Sequence, residues 1–139
     1  MGEGKDVKVI LKSYIPALKY AMKCIQEWDD AEDISISSPR MDGMPRNPGV
    51  HGLETQVALI ERYRKRAEKE RDRALKILDE VERLIDSLDD EDQRNVLRKR
   101  YIDGMEWAEV AIYANMSERT VFYVHGRALN ELRRRECGT

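Results

Sequence analysis

The chain has 139 residues, 37% of them charged against 41% apolar and 6% aromatic, and that charged share is well above the globular average of about 25%. This length suits one compact domain, or a small domain on an extended helical arm; it excludes a multidomain enzyme, and the shortage of aromatics argues against a thick β-sandwich core. Lys and Arg number 25 and Asp and Glu 27, so a net charge of −2 excludes a uniformly basic coat and leaves room only for a local basic face.

The first apolar seam runs through Val7, Leu11, Tyr14, Leu18, Ala21, Ile25 and Trp28 in alternating steps of four and three, the heptad spacing of one helical face. Pro16 lies inside it and lacks a backbone N–H, so it predicts either a kink or a helix start with Pro16 in the first turn. From Ile34 to Gly52 the segment carries Pro39, Pro45 and Pro48 with Gly43, Gly49 and Gly52, which predicts a long loop over 34–52. A connection of that length is either functional or a flexible joint.

A second seam follows at Leu53, Val57, Ile60, Arg64, Ala67, Arg71, Ala74, Leu78, Val81, Ile85 and Leu88 without Gly or Pro. At 1.5 Å per residue this predicts a rod of roughly 50 Å, which needs the first helix, a second copy of the chain or the C-terminal segment as a partner. Residues 1–88 therefore read as a helical coiled-coil arm, closed as a hairpin within one chain or as a homodimer through the heptad helices. Charge is segregated along the rod: Arg62 to Lys76 holds eight basic and three acidic residues, and Asp79 to Asp92 eight acidic and one basic. The basic stretch is either a solvated face with internal i,i+4 pairs or a surface that tracks phosphates.

Residues 89–139 change pattern to three short helices. Asp89 or Asp90 can cap the first, which buries Val96, Leu97 and Tyr101 and stops at Gly104. A second, Glu106 to Ala114, buries Trp107, Val110 and Ala111. After Asn115-Met116, Ser117 caps a third that buries Val121, Val124, Ala128 and Leu132. A short helix, a tight turn and a longer Ser-capped helix follow the helix-turn-helix pattern, whose second helix enters the DNA major groove. On the outward side stand Glu118, Arg119, Thr120, Phe122, Tyr123 and Arg127. Arginines there can pair with guanine or clamp phosphate, and the aromatics can meet a thymine methyl or a sugar, or pack against the arm or a second copy. Thr120 has a competing local role in the cap with Ser117. His125 reads as a phosphate neighbour or a surface residue.

Three stretches carry a family resemblance: R-x-VL-x-x-RYIDG at Arg94 to Gly104, W-x-E-V-A at Trp107 to Ala111, and S-E-R-T-V-x-x-x-H-x-R-A-L at Ser117 to Leu129. Together they resemble region 4 of bacterial sigma-70-type factors, as in phage and prophage transcriptional regulators of the ArpU and RinA type. GMPR at Gly43 to Arg46 and the long charged helix extend a weaker likeness upstream. The resemblance implies a helix-turn-helix protein that binds double-stranded DNA, activates phage or prophage genes such as the late set, and contacts RNA polymerase. It implies DNA-facing positions at Glu118, Arg119, Thr120, Phe122, Tyr123 and Arg127 on a recognition helix spanning 117–134. Glu106, in place of Ser or Thr, and the aromatic pair Phe122 and Tyr123 depart from the family pattern, so the docking mode carries over and a promoter sequence does not.

The fold class expected is all-α, a helical hairpin or coiled-coil arm followed by a three-helix sigma region 4-like domain. Without a Gly-rich phosphate loop, nucleophile elbow or HExxH, no enzyme is expected. Cys24 and Cys137 have no CxxC spacing and no His neighbours, so no metal and no cofactor are expected. The opening stretch MGEGKDVKVILKSY lacks a signal-peptide core, and no run approaches the roughly 18 apolar residues of a membrane span, so the expected setting is the cytoplasm, away from membranes. Two other binding roles share these features: a phage DNA-packaging recognition subunit of the small-terminase kind, and an RNA polymerase-binding module without its own operator.

Overall fold

The structure, a computed structural model, describes residues 6–37 and 52–137. Every regular element among them is an α-helix: α1 (Val7–Lys12), α2 (Tyr14–Ser37), α3 (Gly52–Asp86), α4 (Glu91–Tyr101), α5 (Trp107–Ala114) and α6 (Glu118–Cys137). No helix among the described residues is long and apolar enough to cross a membrane. The chain forms two compact units, one of residues 1–17 with 74–139 and one of residues 18–73, so α2 and α3 each contribute to both. The sequence pattern divides the chain at 88/89. The packing instead places the first helix and the last turns of α3 with the C-terminal helices, because Val7, Leu11, Val81, Ile85 and Leu88 bring large apolar side chains that become fully buried.

Within the larger unit, Asp6 caps α1 by accepting the Lys8 N–H at 3.2 Å, and its carboxylate pairs with Arg133 of α6 at 3.2 Å. The Arg133 guanidinium holds the Asp6 carboxyl below the usual carboxylate range. α1 ends at Ser13, whose hydroxyl donates to the Ile10 carbonyl at 2.6 Å. α2 then starts at Tyr14 with Pro16 in its first turn. Of the two readings of Pro16, the helix start is the one found, since a missing N–H costs least where no intrahelical acceptor is due.

α4 is capped by Asp90, which accepts the Gln93 N–H at 3.1 Å. It stops where Gly104 takes φ 74, the left-handed conformation a residue without Cβ adopts at least cost. Arg94 and Arg98 tie α4 to the end of α3: Arg94 donates to the Leu88 carbonyl at 2.7 Å, and Arg98 to Asp86 at 2.8 Å. α5 opens with the Glu106 N–H donating to Glu109 at 3.0 Å. The acid at 109 therefore answers a backbone N–H at a start where the Ser or Thr cap is absent. At its other end Asn115 sits at φ 60, ψ 45, a conformation Asn tolerates better than most residues.

Val96, Val110, Ala111 and Val121 form the meeting point of α4, α5 and α6, with Met105, Trp107, Met116 and Val124 partly buried around it. Leu97, Tyr101, Ala128 and Leu132 are buried as the periodicity predicts. Trp107, expected in the core, is only half-buried.

The smaller unit is an antiparallel helix pair. A groove of about 310 Å³ is lined by Glu27, Asp30, Ala31 and Ile34 from α2 and by Gln56, Leu59, Ile60 and Tyr63 from α3. Farther back along α2 and farther on along α3, Tyr20, which contacts the Cys24 thiol, lies in the field of Arg66 and Glu70. The seam differs from the expected one. Ala21 and Cys24 are buried on α2 and Ala67 on α3, while Ile25 is exposed and Leu18 and Trp28 are half-buried. Small side chains line the contact and the larger ones flank it. On α3, Val57 is exposed, and Arg64 and Arg71 form ion pairs with Glu61, Glu68 and Asp72 of their own helix. The two Arg64 pairs have the i,i+3 and i,i+4 spacing of a solvated helix face, whereas Arg71 pairs with its sequence neighbour. The predicted 34–52 loop is shorter at both ends, with α2 running to Ser37 and α3 starting at Gly52; its interior lies outside the described residues.

Two stability measurements check this packing. Leu97→Ala, which empties a fully buried site, is expected to cost about 2–5 kcal/mol in chemical denaturation. Ala21→Leu is expected to cost roughly 1–3 kcal/mol by overpacking, and Ile25→Ala less than about 1 kcal/mol. The reverse order of the last two would restore the seam drawn from the large apolar residues.

Candidate nucleic-acid interface

Ser117 begins α6 by accepting the Thr120 N–H at 3.1 Å, and its hydroxyl also bonds the Thr120 hydroxyl at 2.9 Å. α6 then runs to Cys137, three residues beyond the expected end of 134. The side chains of Val121, His125, Ala128 and Leu132 are buried along one side. With 3.6 residues per turn, that burial sends Arg119, Tyr123 and Arg127 to the opposite side, one above the other.

All six predicted positions, Glu118, Arg119, Thr120, Phe122, Tyr123 and Arg127, are exposed and lie within the first three turns of α6. They are not equivalent. Glu118 sits in the first turn, where an acid complements the helix dipole. The Thr120 hydroxyl is engaged in the cap. Phe122 is 47% exposed but leans on Trp107 with ring centroids 5.0 Å apart. Tyr123 is 63% exposed and accepts a hydrogen bond from Arg127 at 3.1 Å. The stripe continues to Asn130, exposed and one further turn along, a position outside the predicted six although the same three-four spacing points to it.

Charge pairing separates the arginines of α6 into two groups. Arg133 pairs with Asp6, Arg134 with Glu131, and Arg135 with both Glu131 and Asp89 while also donating to the Ser87 carbonyl. Among the described residues neither Arg119 nor Arg127 has an acidic partner. Arg127 borders a groove that also holds Asp89, Asp90, Glu131 and Arg135. The cationic character of the C-terminal half of α6 is largely neutralised internally, and the unneutralised arginines are the two on the outward stripe.

His125 is the main correction to the sequence-based expectation. It is 8% exposed, its Nε2 hydrogen-bonded to the Tyr101 hydroxyl at 2.7 Å and its ring edge-on to Trp107 at 4.7 Å. It is not a surface residue. Its burial satisfies a polar ring through a residue of α4, a pairing that periodicity along one helix cannot reveal. Burial, and then the positive charges of Lys8, Arg100, Arg133 and Lys12, lower its pKa to about 4. Burial likewise raises the Tyr101 hydroxyl, so the pair is neutral at neutral pH. Around it, Arg100 donates to the Met105 carbonyl at 2.9 Å and lies 4.4 Å over the Trp107 ring, a cation–π contact. Among the described residues no group of His, Cys, Asp and Glu is placed to hold a metal ion.

Because the folded pKa of His125 lies below the value of about 6.5 for an unfolded histidine, the unfolded chain binds the proton first. The contribution of His125 to stability is complete above about pH 6.5 and falls as the pH drops toward about 4. Thermal melts should show this loss for the native chain and a shallower decline for His125→Gln. Parallel declines for both would remove His125 from the pH response.

Neither the curated proteins nor the solved structures include a significant match to this chain. The family model described as Protein of unknown function (DUF1492) matches residues 50–133. That span takes in α3, α4, α5 and most of α6, including the whole Arg119–Tyr123–Arg127 stripe, and on this match the chain belongs to the DUF1492 family.

Proposed function

We propose that this chain is a sequence-specific DNA-binding transcriptional regulator that docks α6 in the major groove, with α5 and α6 acting as a sigma region 4-like helix-turn-helix. The observation that carries the reading is the pair Arg119 and Arg127, exposed eight residues apart on one stripe and lacking acidic partners among the described residues, beside arginines that are all paired. A guanidinium free of internal carboxylates keeps its donors for guanine O6 and N7 or for phosphate. Arg119 is the stronger base reader, being free of the carboxylates that border Arg127. Tyr123 between them presents a ring to a sugar or a thymine methyl, Glu118 and Thr120 shape the N-terminal edge, and Phe122 braces the helix on Trp107. The role is binding without catalysis.

The finer reading is a cytoplasmic regulator of phage or prophage genes of the ArpU and RinA type, an activator of late genes that also touches RNA polymerase. The α5 residues Ile112, 81% exposed, and Tyr113, also exposed, support a protein-facing surface. Ile34 and Leu59 on the smaller unit's groove remain exposed and support a homodimer through the heptad helices.

Selection of bound fragments from a genomic library tests the reading, using the native chain and Arg119→Ala/Arg127→Ala in parallel. One recurrent site is expected for the native chain. Each bidentate guanine contact is worth about 1–3 kcal/mol, so each arginine removed from such a contact should weaken that site by roughly 5- to 150-fold. Equal affinity of the native chain for all duplexes would sink the proposal.

A further inference from the structure

In the larger unit, α1 brings Lys8 and Lys12 onto one face, four residues apart, against the end of α4 and the start of α5. Together with Arg100, Tyr101 and Trp107 they line an open cleft of about 330 Å³ with no carboxylate in its walls. Among the described residues Lys8, Lys12 and Arg100 have no acidic partner. Arg133, the fourth cation near this point, is neutralised by Asp6. Asp6 also caps α1, so one carboxylate both holds the short helix in register and leaves its two lysines unneutralised. Three like charges around one cleft repel each other, and an anion seated there would remove that repulsion.

We propose that this cleft binds a phosphate group of the DNA backbone, making α1 a second contact beside the stripe on α6. The inference rests on the DNA-binding reading above. Position favours a backbone phosphate over a free one. The cleft is open, and its Trp107 wall touches Phe122 of α6 at 5.0 Å between ring centroids, so a duplex lying along the first turns of α6 passes close to it. Arg100 is fixed by its bond to the Met105 carbonyl and its stacking on Trp107. It supplies a positioned charge, and the two lysines supply longer, adjustable ones. A contact of this kind adds affinity without reading sequence.

The test is the salt dependence of binding by the full chain. Binding to the selected duplex and to a scrambled one is measured for the native chain and for Lys8→Gln/Lys12→Gln, with thermal melts to establish that the variant folds. The proposal expects the variant's affinity to fall by the same factor for both duplexes. The slope of log affinity against log salt should become shallower by about 0.9, the change for one phosphate that the variant no longer neutralises, while the preference for the selected site stays unchanged. If the native chain binds selectively and the folded variant has the native affinity and slope, the cleft proposal is overturned and the DNA-binding reading stands. If the native chain binds no duplex, both fall. Inorganic phosphate provides the remaining arm. A Lys8- and Lys12-dependent response to millimolar phosphate, with duplex binding unaffected by the variant, would make the cleft a site for free anions and overturn its assignment to the backbone.

Discussion

The hydrogen bond between Tyr101 and His125 sets the rotation of α6 about its own axis, and what α6 presents to the outside follows from that rotation. A neutral imidazole buried without a partner would carry a desolvation cost. Turning α6 by one residue, about 100°, would break the bond and expose the ring. With Tyr101 on α4, Trp107 on α5 and His125 on α6, the contact joins three helices at one place. The apolar cluster of Val96, Val110, Ala111 and Val121 supplies non-directional attraction between the same helices, and the polar bond adds direction. Arg119, Tyr123 and Arg127 point outward as a consequence.

Charge in the larger unit is arranged so that most arginines have a structural task. Arg94 and Arg98 fasten α4 to the end of α3, Arg133 fastens α6 to α1, and Arg135 reaches Asp89 and the Ser87 carbonyl. These exposed pairs each contribute little alone, but they fix helix ends at several points and consume positive charge that would otherwise be spread along α6. Among the described residues, cations without acidic partners include those of the Arg119 and Arg127 stripe and of the Lys8, Lys12 and Arg100 cleft, two places linked through Phe122 and Trp107. A nearly neutral protein can therefore carry a local cationic surface.

Much of the larger unit is legible in the sequence because its determinants are local. The Asp90 cap, the stop at Gly104, the Ser117 cap and the buried positions of α4 to α6 follow from spacing within a few residues. The outward placement of all six candidate positions follows from the same periodicity. Long-range chemistry is not legible there. His125 is satisfied by a residue 24 positions away, and Arg133 is neutralised by one 127 positions away, so neither is visible in a helical wheel. The α2 seam departs from its heptad pattern for another reason. Heptad spacing favours the larger apolar residues, Leu18 and Ile25, whereas closely packed helices select small ones, and Ala21, Cys24 and Ala67 allow that approach. The clustering of α1 with the C-terminal helices is hidden in the sequence because its Asp6 clip and Lys8–Lys12 face acquire meaning only beside α6 and α4.

The central claim is that the Arg119–Tyr123–Arg127 stripe is the surface that meets DNA. The most direct measurement is a titration of the isotopically labelled full chain with a duplex, following the side-chain Nε–Hε resonances of each arginine by NMR. The account predicts that the Arg119 and Arg127 resonances shift and slow in exchange with water, while those of the ion-paired Arg134 and Arg135 stay in place. Shifts confined to the arginines of α3, with Arg119 and Arg127 unmoved, would contradict it.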